Sequence, residues 1–520
     1  MKKLILLFSF VVLALTASAQ TTVTPATVDS YAAGSLKNET SLTLTGEWTE
    51  ANLNTLRAAI KTAQTPANLT TANQKLQTVD MSGFTLAASA TEVEFIVFQN
   101  CQKLETITMP TTTIAVPVSI GDGKNNGLFQ NCKVLKEADI SMFTNITNLQ
   151  GTFNSCEALE TIKMPASNSV AVTTQILASK CFRNCFKLKG VDFSGFAYLG
   201  MYRTFSGSKN LLYVVLPEKV GADPFGDANA TVVYNPDCLL YHSEALGGGT
   251  KGKMILITGG RNTYACATKI TLDPAKEFIC PEKFTATAGI EYTRNITASS
   301  DAKLGWESIC LPYSVDLTTG ITKGTTALGA SEYNLSTATP AKDFATASSF
   351  LANTPYIFRM SAASGAVTFA SAAGAEVQAT TNLTNASSAN FDMACAYLDV
   401  ATSNAVYALD ATGAKFVQNG GAVAPFHAYV VNKTGATTTP AEYKIAQGAT
   451  GIDASANDKA SALNIYAADG KLVIESAKAQ TVKVSSIDGI TRELNVAEGA
   501  NEFQLPQGIY IVNKQKVAVR

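Results

Sequence analysis

The stretch Val97-Phe-Gln-Asn-Cys-Gln-Lys-Leu-Glu-Thr-Ile-Thr-Met-Pro110 decides how the first half of this chain is read. Its pattern returns from Leu128 to Ser141 (LFQNCKVLKEADIS) and from Thr152 to Pro165 (TFNSCEALETIKMP). Looser copies begin at Cys181 (CFRNCFKLKGVDFS) and Thr204 (TFSGSKNLLYVVLP), and a partial one, KLQTVDMS, begins at Lys75. The shared form is F-x-[NSG]-[CS]-x-x-L-x-x-[IVA]-x-[MLIF]-[PS]. Its leucines, Leu76, Leu104, Leu135, Leu159, Leu188 and Leu211, lie 28, 31, 24, 29 and 23 residues apart. A unit of this size supplies one short strand and a return segment. It cannot bury its apolar side alone and becomes stable by stacking on its neighbours. The spacing predicts a solenoid.

Cys101, Cys132, Cys156 and Cys185 share one slot of the pattern, and Ser208 fills it in the last copy. A nucleophile or metal ligand is needed once, whereas these recur at every turn. Free cysteine packs as a small hydrophobe with a weak donor, so the reading is an inward ladder. Rungs about 4.8 Å apart would bring neighbouring thiols within disulfide range, but parallel in-register Cβ vectors make that geometry awkward. Strand alternation turns Leu104, Ile107 and Met109 inward and leaves Thr106 and Thr108 outside. The equivalent outward pairs are Thr78/Asp80, Glu137/Asp139, Thr161/Lys163, Gly190/Asp192 and Tyr213/Val215. From this strip Thr106, Thr108, Glu137, Asp139, Thr161, Lys163, Asp192 and Tyr213 are the candidate partner-binding residues. An ordinary solvated face is the competing reading.

These blocks resemble the BspA-like leucine-rich repeat of bacterial surface proteins over roughly residues 40 to 240. The resemblance implies an extended concave face that binds a partner without catalysis. The uneven spacing departs from that family's near-constant period and predicts loops bulging from the longer turns. Ser41 to Gly46 alternates as a strand, and Asn52 to Ala63 reads as a capping helix with Leu53, Leu56, Ala59 and Ile60 on one side. Pro224 to Asp227 and Ala230 to Pro236 read as a terminal rung, and glycine-rich Ala245 to Lys253 as a boundary.

The N-terminus, MKKLILLFSFVVLALTASAQ, has a basic start, an apolar run from Leu4 to Leu15 and an Ala17-Ser18-Ala19 cleavage pattern. It reads as a secretory signal covering 1–19, too short in its apolar run to span a bilayer comfortably. No later segment approaches a transmembrane length, so the expected product is exported, at the cell surface or outer membrane or free outside the cell. Apolar residues make up 46% of the 520 and charged ones 16%, enough for real cores. The formal net charge of -1 and the lack of any run of like charges leave no basic footprint, so no nucleic-acid partner is expected.

Gly247 to Lys253 nearly matches a phosphate-binding loop, but Met254 stands where magnesium would need a hydroxyl. Only His242 and His427 exist, and His427 sits in an apolar strand and reads as structural. Gly121 to Gly127 lacks the alternating acidic residues of a calcium loop and reads as a turn. No cofactor, metal or catalytic residue is expected, and the chain is read as a non-enzyme. Cys266, Cys280, Cys310 and Cys395 lie beyond the repeats; Cys266 with Cys280 is the first pairing to consider, with buried free thiols the alternative.

From about 251 to 448, short alternating strands between turns predict an all-β sandwich module. Trp306–Ser314, Asn353–Arg359 and Val423–Tyr429 anchor it and resemble a β-rich module of large surface proteins from Bacteroidetes-type bacteria. Exposed Tyr313, Tyr356 and Tyr397 would let such a module bind glycans, although core packing is the commoner fate of such residues. The last segment carries hairpins at Asp469-Gly470 and Asp488-Gly489 and about seven strands, a small β-sandwich. Its ending, LPQGIYIV followed by KVAVR, resembles the sorting domain of type IX secretion. The expected fold is thus a mainly β multidomain chain. A signal peptide (1–19) precedes a leucine-rich-repeat solenoid (20–244), a β-sandwich module (245–450) and a small C-terminal β-sandwich (455–520). The expected partner is a protein, matrix or host-surface component met on the concave face. A glycan-related accessory role and an architectural surface-coat role are the alternatives.

Overall fold

The computed structural model describes residues 20–60, 75–89, 91–122, 126–222, 224–225, 235, 237–244, 252–257, 263–297, 299, 304–324, 326–327, 333–336, 349–360, 364–387, 391–418, 421–433, 440, 442–445, 452–455, 463–468, 470–476, 478–486, 490–512 and 515–519. The proposed export signal at 1–19 lies outside them, as do most of 230–236 and all of 245–251. The chain divides into two compact units. One comprises Met1–Leu272, Glu277–Glu291 and Ser371–Thr381; the other holds Asp273–Lys276, Tyr292–Ala370 and Asn382–Arg520. Both are mainly β.

In the first unit each repeat contributes one rung. The six rung strands are Thr78–Asp80, Thr106–Thr108, Glu137–Asp139, Thr161–Lys163, Gly190–Asp192 and Tyr213–Val215. A second set, from Val93–Glu94 through Lys219–Val220, makes a six-stranded sheet paired in parallel throughout. Between the two sets lies one apolar core that includes every ladder leucine. The helix, Glu50–Ile60, begins two residues earlier than the apolar pattern suggested, because Thr49 and Asn52 cap each other's backbone N–H (3.1 and 3.3 Å). It buries Leu53, Leu56, Ala59 and Ile60 as expected. Asp122 accepts from the Asn126 backbone beside a Gly121–Gly127 bridge, and the rest of the expected turn, 123–125, lies outside the described residues.

The F-x-N-C signature has a backbone cause. Asn100, Asn131, Ser155, Asn184 and Gly207 all take positive φ, 65, 60, 62, 58 and 85°, the left-handed region that asparagine and glycine tolerate best. That bend points each N–H at the next rung: Asn100 to Gln130 O (2.7 Å), Asn131 to Asn154 O, Ser155 to Arg183 O and Asn184 to Ser206 O. Beneath the bends the phenylalanines stack as a column, Phe98–Phe129–Phe153–Phe182–Phe205–Phe225, with centroids 5.2 to 6.2 Å apart. Each neighbouring pair adds about 0.5–1.5 kcal/mol beyond its burial.

The rungs come in couples. The first, third and fifth end in Asp-x-Ser, and the second, fourth and sixth in x-[Met/Leu]-Pro. In each Asp-x-Ser rung the aspartate accepts from the serine N–H two residues on, at 2.8–2.9 Å. The residue between them donates to its partner rung: Met81 to Thr108 O, Ile140 to Lys163 O and Phe193 to Val215 O. After the second and fourth rungs the strand pairing stops. The first and second rungs sit in one sheet, the third and fourth form a two-stranded sheet, and the fifth and sixth lead a third. That third sheet runs on through Leu239–His242 and Lys253–Ile257, both parallel, and then Tyr264–Cys266 and Phe284–Ala286. Leu239–His242 is thus the described rung after the sixth.

In the second unit the three anchoring stretches converge. Trp306–Ile309 pairs antiparallel with Tyr356–Met360, and Ala428 N–H donates to Ser308 Oγ (3.1 Å). Cys310 and Cys395 form a disulfide across 85 residues, so the bridge is not Cys266–Cys280, the first pairing considered, and for those two the alternative of buried free thiols holds. Cys266 and Cys280 are buried free thiols, each bonded to a nearby carbonyl, of Thr268 and Glu282. The last segment forms seven antiparallel strands, Asn464–Ala468 to Gln515–Val519, in sheets of three and four that share one core.

Candidate functional site

The site begins with what the ladder thiols do. Cys132 Sγ donates to Phe98 O (3.3 Å), Cys156 to Phe129 O (3.0 Å) and Cys185 to Phe153 O (3.2 Å). Ser208, in the same slot, gives its hydroxyl to Phe182 O at 2.6 Å. Each side chain ties its rung to the one before. All four are buried, and burial pushes the thiols of Cys156 and Cys185 far above the usual range. Such sulfurs are poor nucleophiles. They are structural, as the repetition implied.

The histidines are also committed. Arg294 donates to His427 Nε2 (2.8 Å), so the ring's proton sits on Nδ1 and is shared with Pro425 O (3.0 Å). Burial, with the Arg294 charge, lowers the His427 pKa to about 4. His242 Nδ1 lies 2.7 Å from Glu244 O. Among the described residues no group of three histidine, cysteine, aspartate or glutamate side chains is placed to hold a metal ion.

The outward strip is the remaining candidate. Thr106, Thr108, Glu137, Thr161, Lys163 and Asp192 are exposed, and Asp139 is half-buried. Lys163 Nζ lies 3.0 Å from Asp139 Oδ2, a bond between two solvated groups contributing roughly 0–1 kcal/mol. The strip is divided at the couple boundaries, so the eight candidates fall into three groups: Thr106 and Thr108; Glu137, Asp139, Thr161 and Lys163; Asp192 and Tyr213. Asp139 and Asp192 also hold their own turns together.

Gly190 departs from the alternation. It is buried because the Tyr213 ring of the next rung lies over it, and a Cβ there would run into that ring. Tyr213 is half-buried, and burial, then Asp192, raises its pKa to about 12. Downstream, Tyr241 is buried, with its hydroxyl donating to Glu282 O (2.7 Å) and its ring edge-on to Tyr264. Burial and then Asp192 raise the pKa of Glu282. Tyr241 was missed in the sequence, although Leu240 follows Val214, its in-register partner, by a repeat-like 26 residues. Tyr313, Tyr356 and Tyr397 are buried, with Tyr313 and Tyr397 bonded to Phe369 O and Asn353, so they offer no sugar-stacking face.

Within the first unit, the parallel rungs from Thr78–Asp80 to Tyr213–Val215 repeat a Phe-x-Asn-Cys bend and an inward leucine. Residues 72–211 match six copies of the family described as BspA type leucine rich repeat region. Comparisons with curated proteins and with solved structures returned no match. No helix among the described residues is long and apolar enough to cross a membrane, which leaves strands untested.

Proposed function

We propose that the chain is a non-enzymatic, exported surface protein whose repeats form a solenoid and bind a protein or matrix partner through its concave strip. In this reading 1–19 directs export and 20–244 is the binding array. The segments 245–450 and 455–520 are sandwich-type modules, the latter serving as the sorting domain of type IX secretion. The observation that carries it is the register of Thr106, Thr108, Glu137, Thr161 and Lys163 on stacked rungs, short and solvated, with the thiols turned inward. Such a strip suits many shallow contacts over a broad area rather than one deep site.

The test is surface capture of candidate matrix proteins, fibrillar and plasma, by the full chain. Comparison is made with a Thr106→Arg/Thr161→Arg double variant, which adds bulk and charge on two couples without touching the core. Undiminished capture by the double variant would remove the strip from the mechanism. Mass spectrometry of the mature termini from fractionated cells tests export and sorting. Retention of both ends in a cytoplasmic fraction would defeat that half of the reading.

A further inference from the structure

The chain as a whole balances 40 basic against 41 acidic residues, but not locally. From Thr161 to Pro217 there are seven basic residues and one acidic, Asp192; acidity returns at Glu218 and Asp223. Lys163 and Lys189 are paired with Asp139 and Glu277. The other five, Lys180, Arg183, Lys187, Arg203 and Lys209, lie on two adjacent bends. Those bends are in register: Lys180 N–H donates to Tyr202 O (3.2 Å), Phe182 to Thr204 O (2.9 Å) and Asn184 to Ser206 O (2.8 Å). Asn210 Nδ2 reaches Phe186 O at 2.7 Å. Cys181, Phe182, Cys185, Thr204, Phe205 and Ser208 are buried, whereas Lys187 and Lys209 are exposed and Lys180, Arg183 and Arg203 are half-buried. Two exposed rings flank them, Tyr202 (49%) and Phe186 (38%), and the Arg203 guanidinium lies 5.0 Å from the Tyr202 centroid.

Packing does not ask for these cations. Gln99, Gln130 and Asn154 stand where Arg183 stands, and Gly151 where Lys180 and Arg203 do. Gly151 has φ 70°, while Lys180 and Arg203 hold 57 and 56°. Long side chains occupy a left-handed position that glycine fills on the preceding bend without strain, and strain of this kind collects where a side chain has a use. Lys180, Arg183 and Lys209 form no ion pair with any described residue. Lys187 lies 3.6 Å from Glu160 and keeps 57% of its side chain exposed.

We infer that the bends of the fifth and sixth repeats bind a linear polysaccharide bearing carboxylate or sulfate groups. The surface is separate from the strip of the proposed function. Successive cations along the two bends are three and four residues apart (Lys180, Arg183, Lys187) and six apart (Arg203, Lys209), so they lie at most roughly 10 to 20 Å from one another. That spacing suits a polymer with one charge every sugar or two, not a DNA duplex with one per about 1.7 Å. Tyr202 and Phe186 supply the flat apolar faces on which sugar rings stack, as aromatic side chains do at half-wet surfaces.

The full chain is tested against immobilised dextran sulfate, polygalacturonate, neutral dextran and a short DNA duplex over a salt series. Binding to one or both charged polysaccharides and not to neutral dextran is expected, and the two arms separate sulfate from carboxylate recognition. Lys180→Gln/Arg183→Gln/Lys209→Gln weakens it on the order of tenfold and lowers the salt slope by about 2. Lys163→Gln, on the other face, leaves it unchanged. Lys180→Gly restores the residue type of Gly151, so it keeps or raises the melting temperature while weakening binding. Equal binding by the triple variant, tighter binding to DNA than to either polysaccharide, or a lower melting temperature for Lys180→Gly overturns the inference.

Discussion

Replacing Cys156 by alanine and by serine separates a ladder thiol from a reactive one. Alanine removes one buried heavy atom, worth about 0.8 kcal/mol by analogy with a methylene. It also removes the weak bond to Phe129 O, worth at most about 1 kcal/mol. The expected cost is therefore about 1–2 kcal/mol. Serine keeps the bond, as Ser208 does at 2.6 Å, and should cost no more than alanine despite being the more polar group. With a urea slope of about 2–3 kcal/mol/M, the alanine variant unfolds roughly 0.5 M earlier. The chain has two units, so the readout should be local: thiol labelling along a urea series, followed by mass spectrometry of the Cys132 and Cys185 peptides. In native buffer both buried thiols, Cys185 with its pKa raised by burial, label far more slowly than in unfolded chain. Rapid native labelling, or a serine variant costing several kcal/mol when alanine costs none, would falsify the ladder account.

Three further outcomes are expected. Phe153→Ala, which empties a fully buried ring between Phe129 and Phe182, lowers the stability of the repeats by about 3–5 kcal/mol in the same labelling series; a loss under 1 kcal/mol counts against the stacked column. Reducing the Cys310–Cys395 bridge, or Cys310→Ser, destabilises the second unit by up to about 4 kcal/mol through loop entropy and leaves the repeat midpoint unchanged. His427 has a folded pKa of about 4 against an ordinary 6.5, so the unfolded chain binds the extra proton between those values. Its contribution is therefore intact above pH 6.5 and is lost as pH falls towards 4, by at most about 3 kcal/mol. His427→Gln flattens that part of the pH–stability curve relative to the parent chain, and an unchanged slope would show that the imidazole is not held neutral.

The repeat positions were readable because one constraint recurs: a left-handed bend wants Asn or Gly, the next slot wants a small inward donor, and leucine follows. Residues 78–215 therefore place their strands where the spacing puts them. What the spacing missed depends on neighbours far along the chain. Gly190 reads as outward by alternation alone, and only the Tyr213 ring of the adjacent rung buries it. The partner of Cys310 is fixed where Phe391–Ala396 lies antiparallel to His427–Asn432, while Phe426, just before the latter strand, accepts from the Cys310 N–H. No local spacing could point to that meeting. Sequence alone leaves Tyr313, Tyr356 and Tyr397 open to sugar stacking or to core packing; their hydroxyls satisfy interior or sheltered backbone and amide groups.

The coupling of rungs bears on how such an array can change length. An Asp-x-Ser rung needs a following strand whose carbonyl it can reach, and the two Met-Pro rungs end the pairing, whereas the Leu-Pro sixth pairs on with Leu239–His242. Losing or gaining one repeat would set two rungs of the same kind side by side and leave a donor or an acceptor stranded. Excising two together, for example the 53 residues from Leu135 to the residue before Leu188, restores the phase. Natural or engineered length variants of this array should therefore differ by even numbers of turns.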